Sequence, residues 1–92
     1  MRVLTTPRFD RSVKKLRELE KKALDEAVKT VITNADIGEL KKGDLAGLRV
    51  YKYRFNKEQM LLAYAANKAE QVVILVGYGT HENFYRDLKH WA

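Results

Sequence analysis

The sequence has no cysteine, one proline and two histidines. Without cysteine it can form no disulfide, and two histidines alone make a transition-metal site improbable. No apolar run approaches the length of a membrane span, and residues 1–7 lack the apolar stretch of a signal peptide. These absences predict a cytoplasmic protein with no membrane segment and no bound metal, held together by its own hydrophobic core.

Common motifs for cofactor binding and nucleophilic catalysis are also missing. Gly77-Tyr78-Gly79 lacks the third glycine and the β-α-β context of a dinucleotide-binding loop. No G-x-S-x-G sequence is present to supply a nucleophilic serine. We therefore predict no small-molecule cofactor.

What the chain has in excess is positive charge. It carries 18 Lys and Arg against 12 Asp and Glu, a formal net charge of +6 over 92 residues. Such a balance favours an anionic partner, which could be RNA, DNA or an acidic protein. Solubilising charge on the outer faces of helices would explain it equally well. The length fits one domain, residues 1–92.

The first half of the chain has a helical pattern. Residues 2–5 are predicted to be extended, and Thr6-Pro7 is a favourable helix start. Apolar residues then recur at helical spacing as far as Ala35. No helix breaker separates the pattern into two parts, so the sequence leaves one long helix possible. We favour a hairpin of two antiparallel helices, because one helix would be about 40 Å long in a small domain.

The second half changes to a period of two. Strands are predicted over residues 48–55, 59–66 and 72–76, joined by short polar turns as an antiparallel meander. The last of them is apolar on both faces, as a central strand is. Residues 34–47 are predicted to be a loop, with Leu40 and Leu45 anchored in the core.

The predicted closing helix covers residues 81–90. Gly77 and Gly79 are expected to end the preceding strand in a turn, and Thr80 to cap the helix. The core face of that helix would carry Phe84, Leu88 and Trp91. The fold class is thus α+β in the order β-α-α-β-β-β-α, a mostly antiparallel sheet with an N-terminal helical hairpin packed on one face and a C-terminal helix.

The strand over residues 48–55 carries a candidate anion site. Lys52 and Arg54 lie on one of its faces about 7 Å apart, a spacing at which two cations can hold one phosphodiester. Solubilising charge on an exposed face is the competing interpretation. The aromatic residues Tyr51, Tyr53 and Phe55 alternate with the cations and share the other face with Arg49, so we expect them to pack against the helices.

His81 and Tyr85 are the other candidates for chemistry. At positions i and i+4 they share a face of the predicted closing helix. Histidine is the side chain that exchanges a proton near neutral pH. Cleavage of RNA needs a base for the 2′-hydroxyl, cations for the phosphorane and an acid for the 5′-oxygen. His81 could be base or acid, Lys52 and Arg54 the cations, and Tyr85 could orient the phosphate or stack on a base.

The chain resembles the RelE/ParE superfamily, the toxins of type II toxin–antitoxin systems. The resemblance covers nearly the whole chain and includes its basic charge, its element order and three segments, GLRVYKYR at 47–54, LLAY at 61–64 and GTHENFY at 79–85. Members of the RelE branch are ribosome-dependent mRNA endoribonucleases, each neutralised by a cognate antitoxin protein. Members of the ParE branch inhibit DNA gyrase.

The resemblance also implies roles for residues. Lys52 and Arg54 resemble the paired basic residues of the RelE active-site strand, and Tyr85 resembles its C-terminal tyrosine. The Gly79-Thr-His81 stretch is closer to YafQ-like members, in which the equivalent histidine is catalytic. Leu61 and Gly79, in contrast, stand where RelE has arginines.

The sequence therefore predicts a toxin that cleaves mRNA on the ribosome without metal, with Lys52, Arg54, His81 and Tyr85 as catalytic residues. Arg49, Lys52 and Arg54 are the predicted RNA-binding residues. The expected partners are an antitoxin, the ribosome and mRNA. Two alternatives stay open: a ParE-like inhibitor of gyrase that cuts no RNA, and an inactive toxin that only binds its antitoxin.

Overall fold

A computed structural model describes residues 1–81 and residue 84. In chain order, the described elements are β1 (Arg2–Thr5), α1 (Pro7–Val13), α2 (Glu18–Thr33), β2 (Glu39–Leu40), a 3₁₀ turn (Gly43–Leu45), β3 (Arg49–Phe55), β4 (Glu58–Asn67) and β5 (Val72–Thr80). The strands form one sheet in the order β1-β5-β4-β3-β2. β1 runs parallel to β5, and the other pairs are antiparallel. The predicted α+β class, with its helical hairpin and mostly antiparallel sheet, is confirmed.

The start of α1 is fixed both locally and to the sheet. The hydroxyl of Thr6 accepts a hydrogen bond from the amide of Phe9 at 3.2 Å and donates one to the carbonyl of Val76 at 3.1 Å. Pro7 follows in the first turn, where no amide is needed for the helix. The sequence signal for this helix start is therefore confirmed, and the cap also ties the helix to β5.

The two helices separate at residues 14–17, where the sequence shows no breaker. The phenol of Tyr78 on β5 donates a hydrogen bond to the carbonyl of Ser12 at 2.8 Å, near the end of α1. After that end, the amide of Arg17 donates to the carboxylate of Glu20, which caps the first turn of α2. The preferred hairpin is thus correct, and contacts distant in sequence accompany the break.

We call the sheet surface that carries α1 and α2 the helix face, and the opposite surface the open face. The larger core lies on the helix face, where the buried side chains are Phe9, Leu24, Ala27, Val31, Ala35, Leu62, Tyr64, Val73 and Leu75. The rings of Phe9 and Tyr78 meet edge to face with their centroids 5.8 Å apart. A second buried cluster lies on the open face and comprises Leu45, Leu48, Val50, Leu61, Ala63, Val76 and Phe84.

The prediction that Gly77 and Gly79 end the last strand is wrong. β5 continues through both glycines to Thr80, its last residue, which directly precedes the helical His81. The register shifts between Ala63 and Tyr64: Ala63 lies opposite Gly77, whereas Tyr64 lies opposite Leu75. This β-bulge adds one residue to β5 and reverses its alternation, so that Tyr78 turns to the helix face.

Two other sequence predictions need adjustment. The loop over residues 34–47 contains the short edge strand β2, which pairs with β3. Leu45 is buried as predicted, but Leu40 is 55% exposed and does not anchor the loop, because it lies on the outermost strand. His81 and Phe84 are helical and Phe84 is 1% exposed, as predicted. Leu88 and Trp91 lie outside the described residues.

Neither helix in the described part of the chain is long and apolar enough to cross a membrane.

Candidate functional site

The alternation of β3 brings Lys52 and Arg54 to the open face, and both side chains are exposed. Val50, two residues before Lys52, belongs to the open-face cluster, which fixes the orientation of the alternating side chains that follow. The shared face of the two cations is therefore confirmed. Among the described residues, neither cation forms an ion pair or a side-chain hydrogen bond, so both charges are available to an anion.

Strand register brings His81 close to the same end of the sheet. Arg54 lies opposite Gln59 on β4, and Met60 lies opposite Thr80 on β5. His81 is one residue beyond that last pair, in the helix that follows β5, and is exposed. Arg54 and Gln59 therefore face each other across β3 and β4, and His81 follows the end of β5 at the same end of the sheet.

This end of the sheet has the dimensions of a phosphate site. Tyr53, Met60 and Thr80 form one row across three strands, and neighbouring strands are about 4.8 Å apart, so β3 and the end of β5 are separated by roughly 10 Å. Arg54 directly follows Tyr53 and His81 directly follows Thr80, so an extended guanidinium and an imidazole can approach one phosphodiester from β3 and from the end of β5. Lys52 adds a second cation to the same face, two residues from Arg54.

Gln59 is a site residue that the sequence interpretation missed. It is exposed and lies opposite Arg54 on the open face. Its amide offers both a donor and an acceptor to a ligand held by Arg54. The alternation of β4 could have indicated its face, but only the register shows that it stands beside Arg54.

The row of paired residues that runs from Lys52 across β4 to β5 is packed with apolar groups. Lys52 lies opposite Leu61, and Leu61 lies opposite Gly79. Leu61 is fully buried and Phe84 is 1% exposed. A Cβ atom on Gly79 would lie 3.9 Å from the Cα of Phe84. The two positions at which the resemblance implies arginines in RelE are thus part of the packing beneath Phe84.

Arg49 is not brought together with Lys52 and Arg54. Its guanidinium donates a hydrogen bond to the carbonyl of Gly38 at 2.8 Å and forms an ion pair with Asp36 at 3.5 Å. The carboxylate of Asp36 also binds the ammonium of Lys68. That hydrogen bond is the main cause of the lowered pKa of Asp36; burial opposes it, and the charges of Lys68 and Arg49 lower the pKa further. Arg49 thus helps to hold the loop after α2.

The aromatic residues of β3 lie on the helix face, as expected from the alternation. Tyr51 and Tyr53 are half-buried against the core beneath α1 and α2. Burial is the main cause that raises the pKa of Tyr53 to about 12, and the neighbouring Tyr78 and Glu20 raise it further. These rings therefore pack against the helices and are not presented for base stacking.

Tyr85, the remaining predicted catalytic residue, lies outside the described residues. Within the part of the chain that the structure describes, no group of three or more histidine, aspartate or glutamate side chains could hold a metal ion. The chemistry that the described site can offer is therefore binding of an anion by two cations and an amide, next to an imidazole.

Comparison with known proteins gives a consistent result. A family model described as the ParE-like toxin of type II bacterial toxin–antitoxin systems matches residues 3–89. No curated protein gives a significant match.

Solved structures share the fold at low sequence identity. The toxin–antitoxin complex RelBE of E. coli contains a chain with 18% identity and a TM-score of 0.67, the match covering 85% of this chain and 93% of that one. A free E. coli RelE toxin with two arginine-to-alanine substitutions gives 18% identity and a TM-score of 0.69, covering 88% and 83% of the two chains. The complex RelBE2 of Mycobacterium tuberculosis gives 18% identity and a TM-score of 0.66, covering 87% and 90%.

Proposed function

The chain belongs to the ParE-like family of toxins from type II bacterial toxin–antitoxin systems, and on that premise we propose that it is a metal-independent endoribonuclease that cleaves mRNA on the ribosome. The observation that carries the proposal is the pair of Arg54 and Gln59 across β3 and β4, with Lys52 on the same exposed face and His81 directly after the end of β5. Two cations and an amide can hold a phosphodiester and its phosphorane, and the imidazole supplies one group for proton transfer.

In this mechanism, the substrate phosphate binds between β3 and the end of β5. The guanidinium of Arg54 donates two parallel hydrogen bonds to phosphate oxygens, and the ammonium of Lys52 adds a point charge. Both interactions strengthen as charge accumulates on the phosphorane. Their contribution to catalysis is therefore larger in the transition state than in the bound substrate.

His81 is the proposed proton-transfer residue. As base, the neutral imidazole removes the proton of the 2′-hydroxyl while its oxygen attacks phosphorus. The bond to the 5′-oxygen then breaks, and that oxygen takes a proton from a solvent water molecule. Tyr85, which resembles the C-terminal tyrosine of RelE, is proposed to orient the phosphate or to stack on a base. The products are a 2′,3′-cyclic phosphate and a 5′-hydroxyl.

The partners follow from the same proposal. The ribosome would present mRNA to the open face, and a cognate antitoxin would neutralise the toxin. The RelBE and RelBE2 structures are toxin–antitoxin complexes, which supports an antitoxin for this chain as well.

One observation favours a second function, inhibition of DNA gyrase without RNA cleavage. The centre of the open face is apolar at Leu61 and Gly79 and is covered by Phe84. In the row of Lys52, Leu61 and Gly79 across three strands, only Lys52 is cationic. A gyrase inhibitor needs no phosphate site and would need neither His81 nor Arg54 for toxicity.

Mapping of mRNA 5′ ends after induction in a growing culture separates the two functions. We expect new ends that depend on translation for the wild-type protein, and their loss with growth arrest relieved for Arg54→Ala and His81→Ala. Lys22→Ala removes a cation from an exposed position of α2 and should remain fully active. Full toxicity of both site variants, or inhibited supercoiling with intact mRNA, would contradict the nuclease assignment.

A further inference from the structure

A groove of about 550 Å³ lies on the helix face, between the first turn of α2 and the turn that joins β3 to β4. Its apolar wall consists of Leu19, Phe55 and Met60. Glu18, Glu20 and Glu58 contribute carboxylates around that wall. The size is that of a cleft which holds a small ligand or a few side chains of a peptide. We call this feature the hairpin groove.

Leu19 gives the first indication of a partner, because its position is not explained by folding. It is 70% exposed, whereas the α2 residues Leu24, Ala27 and Val31 are buried in the core. Five residues correspond to about 140° around a helix, so Leu19 points well away from the stripe that contains Leu24. A single exposed leucine is common, but this one adjoins two further apolar side chains in a concave surface. Such a surface is typical of a docking site.

The charge around the hairpin groove identifies the class of partner. Its lining among the described residues includes three glutamates and a single cation, Arg17, although the whole chain has a net charge of +6. The groove therefore repels nucleic acid and acidic polypeptides and attracts positive charge. It is also on the opposite sheet face from Lys52 and Arg54, so one end of the sheet presents opposite charges on its two sides.

We propose that the hairpin groove is a docking site for a basic segment of a partner protein. One aliphatic or aromatic side chain of that segment enters between Leu19, Phe55 and Met60. Lysine or arginine residues on either side of it pair with Glu18 and Glu58, which are both exposed. The proposal goes beyond the proposed nuclease activity and does not depend on it.

Selection of random peptides on the immobilised protein tests the chemistry of the partner directly. We expect the wild-type protein to enrich peptides that combine Lys or Arg with one large apolar residue. The dissociation constant of an enriched peptide, measured by fluorescence anisotropy, should be roughly tenfold higher for Leu19→Ser. In that variant the peptide no longer buries a leucine side chain when it binds. Leu40→Ser, at another exposed leucine of 55% exposure, is the matched control and should bind normally.

The charge contribution has its own matched pair of variants. Glu18→Gln with Glu58→Gln should weaken peptide binding and reduce its dependence on salt. Asp25→Asn with Glu26→Gln removes the same charge from exposed α2 positions outside the groove lining and should change neither. Lys52→Ala with Arg54→Ala should also bind the peptide normally, so this test and the test of RNA cleavage can fail independently.

Three results would overturn the proposal. The first is enrichment of acidic peptides, or no enrichment. The second is enrichment that is identical for wild type and Leu19→Ser. The third is self-association of the wild-type protein in sedimentation that Leu19→Ser abolishes, which would assign the groove to a second copy of the chain.

Discussion

Replacing Tyr64 with phenylalanine should loosen the loop that follows α2, because one buried phenol binds two backbone groups of that loop. Its hydroxyl donates a hydrogen bond to the carbonyl of Ala35 at 2.7 Å and accepts one from the amide of Gly38 at 2.9 Å. Tyr64 is fully buried. A Cβ atom on Gly38 would lie only 2.6 Å from the phenol oxygen, so only glycine fits this close contact.

The magnitude follows from the two groups that lose their partner. A buried polar group left without a hydrogen bond costs about 1–3 kcal/mol. Asp36 and Ile37 between the two groups are exposed, so water can partly replace the lost partners, and the two groups together should destabilise the fold by about 2–4 kcal/mol. A domain of this size has a free energy of unfolding of roughly 5–10 kcal/mol. The variant should therefore remain folded at pH 7 but with a large part of its stability lost.

Urea unfolding followed by circular dichroism measures this loss. With a slope of about 1.5 kcal/mol per molar urea, the midpoint should fall by roughly 1–3 M with little change in slope. Tyr53→Phe is the matched control, because the phenol of Tyr53 has no hydrogen-bond partner among the described residues. Its midpoint should change by less than the equivalent of about 0.5 kcal/mol. If Tyr64→Phe is no less stable than Tyr53→Phe, the phenol does not hold the loop.

Three further predictions concern the open face, the phenol of Tyr53 and the turn between β3 and β4. Leu61→Arg should cost more than about 3 kcal/mol in urea unfolding, since it places a guanidinium at a fully buried position; Gln59→Arg, exposed on the same strand face, should cost little. Between pH 10 and 12 the wild-type midpoint should fall, because the pKa of Tyr53 is about 12 in the folded state and about 10 in the unfolded state, and Tyr53→Phe should flatten this fall. Lys57→Gly should raise the melting temperature by a few degrees, because Lys57 has a φ of 71° that glycine adopts without strain.

Each of these has an outcome that would refute its reasoning. Equal stability of Leu61→Arg and Gln59→Arg would mean that the position beneath Phe84 accepts a cation. If the urea midpoint falls equally between pH 10 and 12 in wild type and Tyr53→Phe, this phenol contributes nothing to the loss of stability. A lower melting temperature for Lys57→Gly would mean that the entropy of the unfolded chain outweighs the strain of the turn.

Local periodicity was enough for most of the fold. The alternation from Leu48 to Phe55 places Lys52 and Arg54 on one face and the tyrosines on the other, and the structure confirms both. Thr6-Pro7 marks the true start of α1. These features are determined by residues within a few positions of one another, so a pattern can predict them without knowledge of the rest of the chain.

The site required information that a local pattern does not contain. The register between β3, β4 and β5 brings His81 to the end of the sheet that carries Arg54, and it also places Gln59 opposite Arg54. Gly77 and Gly79 were predicted to form a turn, but they continue β5 beyond a bulge opposite Ala63 and Tyr64. The bulge arises from the pairing of two strands, so the pattern of one strand does not reveal it. Arg49 was grouped with the RNA-binding residues, yet its guanidinium binds Asp36 and the loop carbonyl of Gly38.

The sequence by itself thus determined most of the elements, their order and which side chains of β3 share a face, since these follow from the geometry of a helix or strand over a few residues. The tertiary structure decided which faces are covered, which strands are in register and which charges already have partners. Leu61 and Leu19 illustrate the difference: the same residue type is fully buried beneath Phe84 in one case and 70% exposed beside a groove in the other. Burial depends on contacts between segments far apart in the chain, and only the folded molecule contains them.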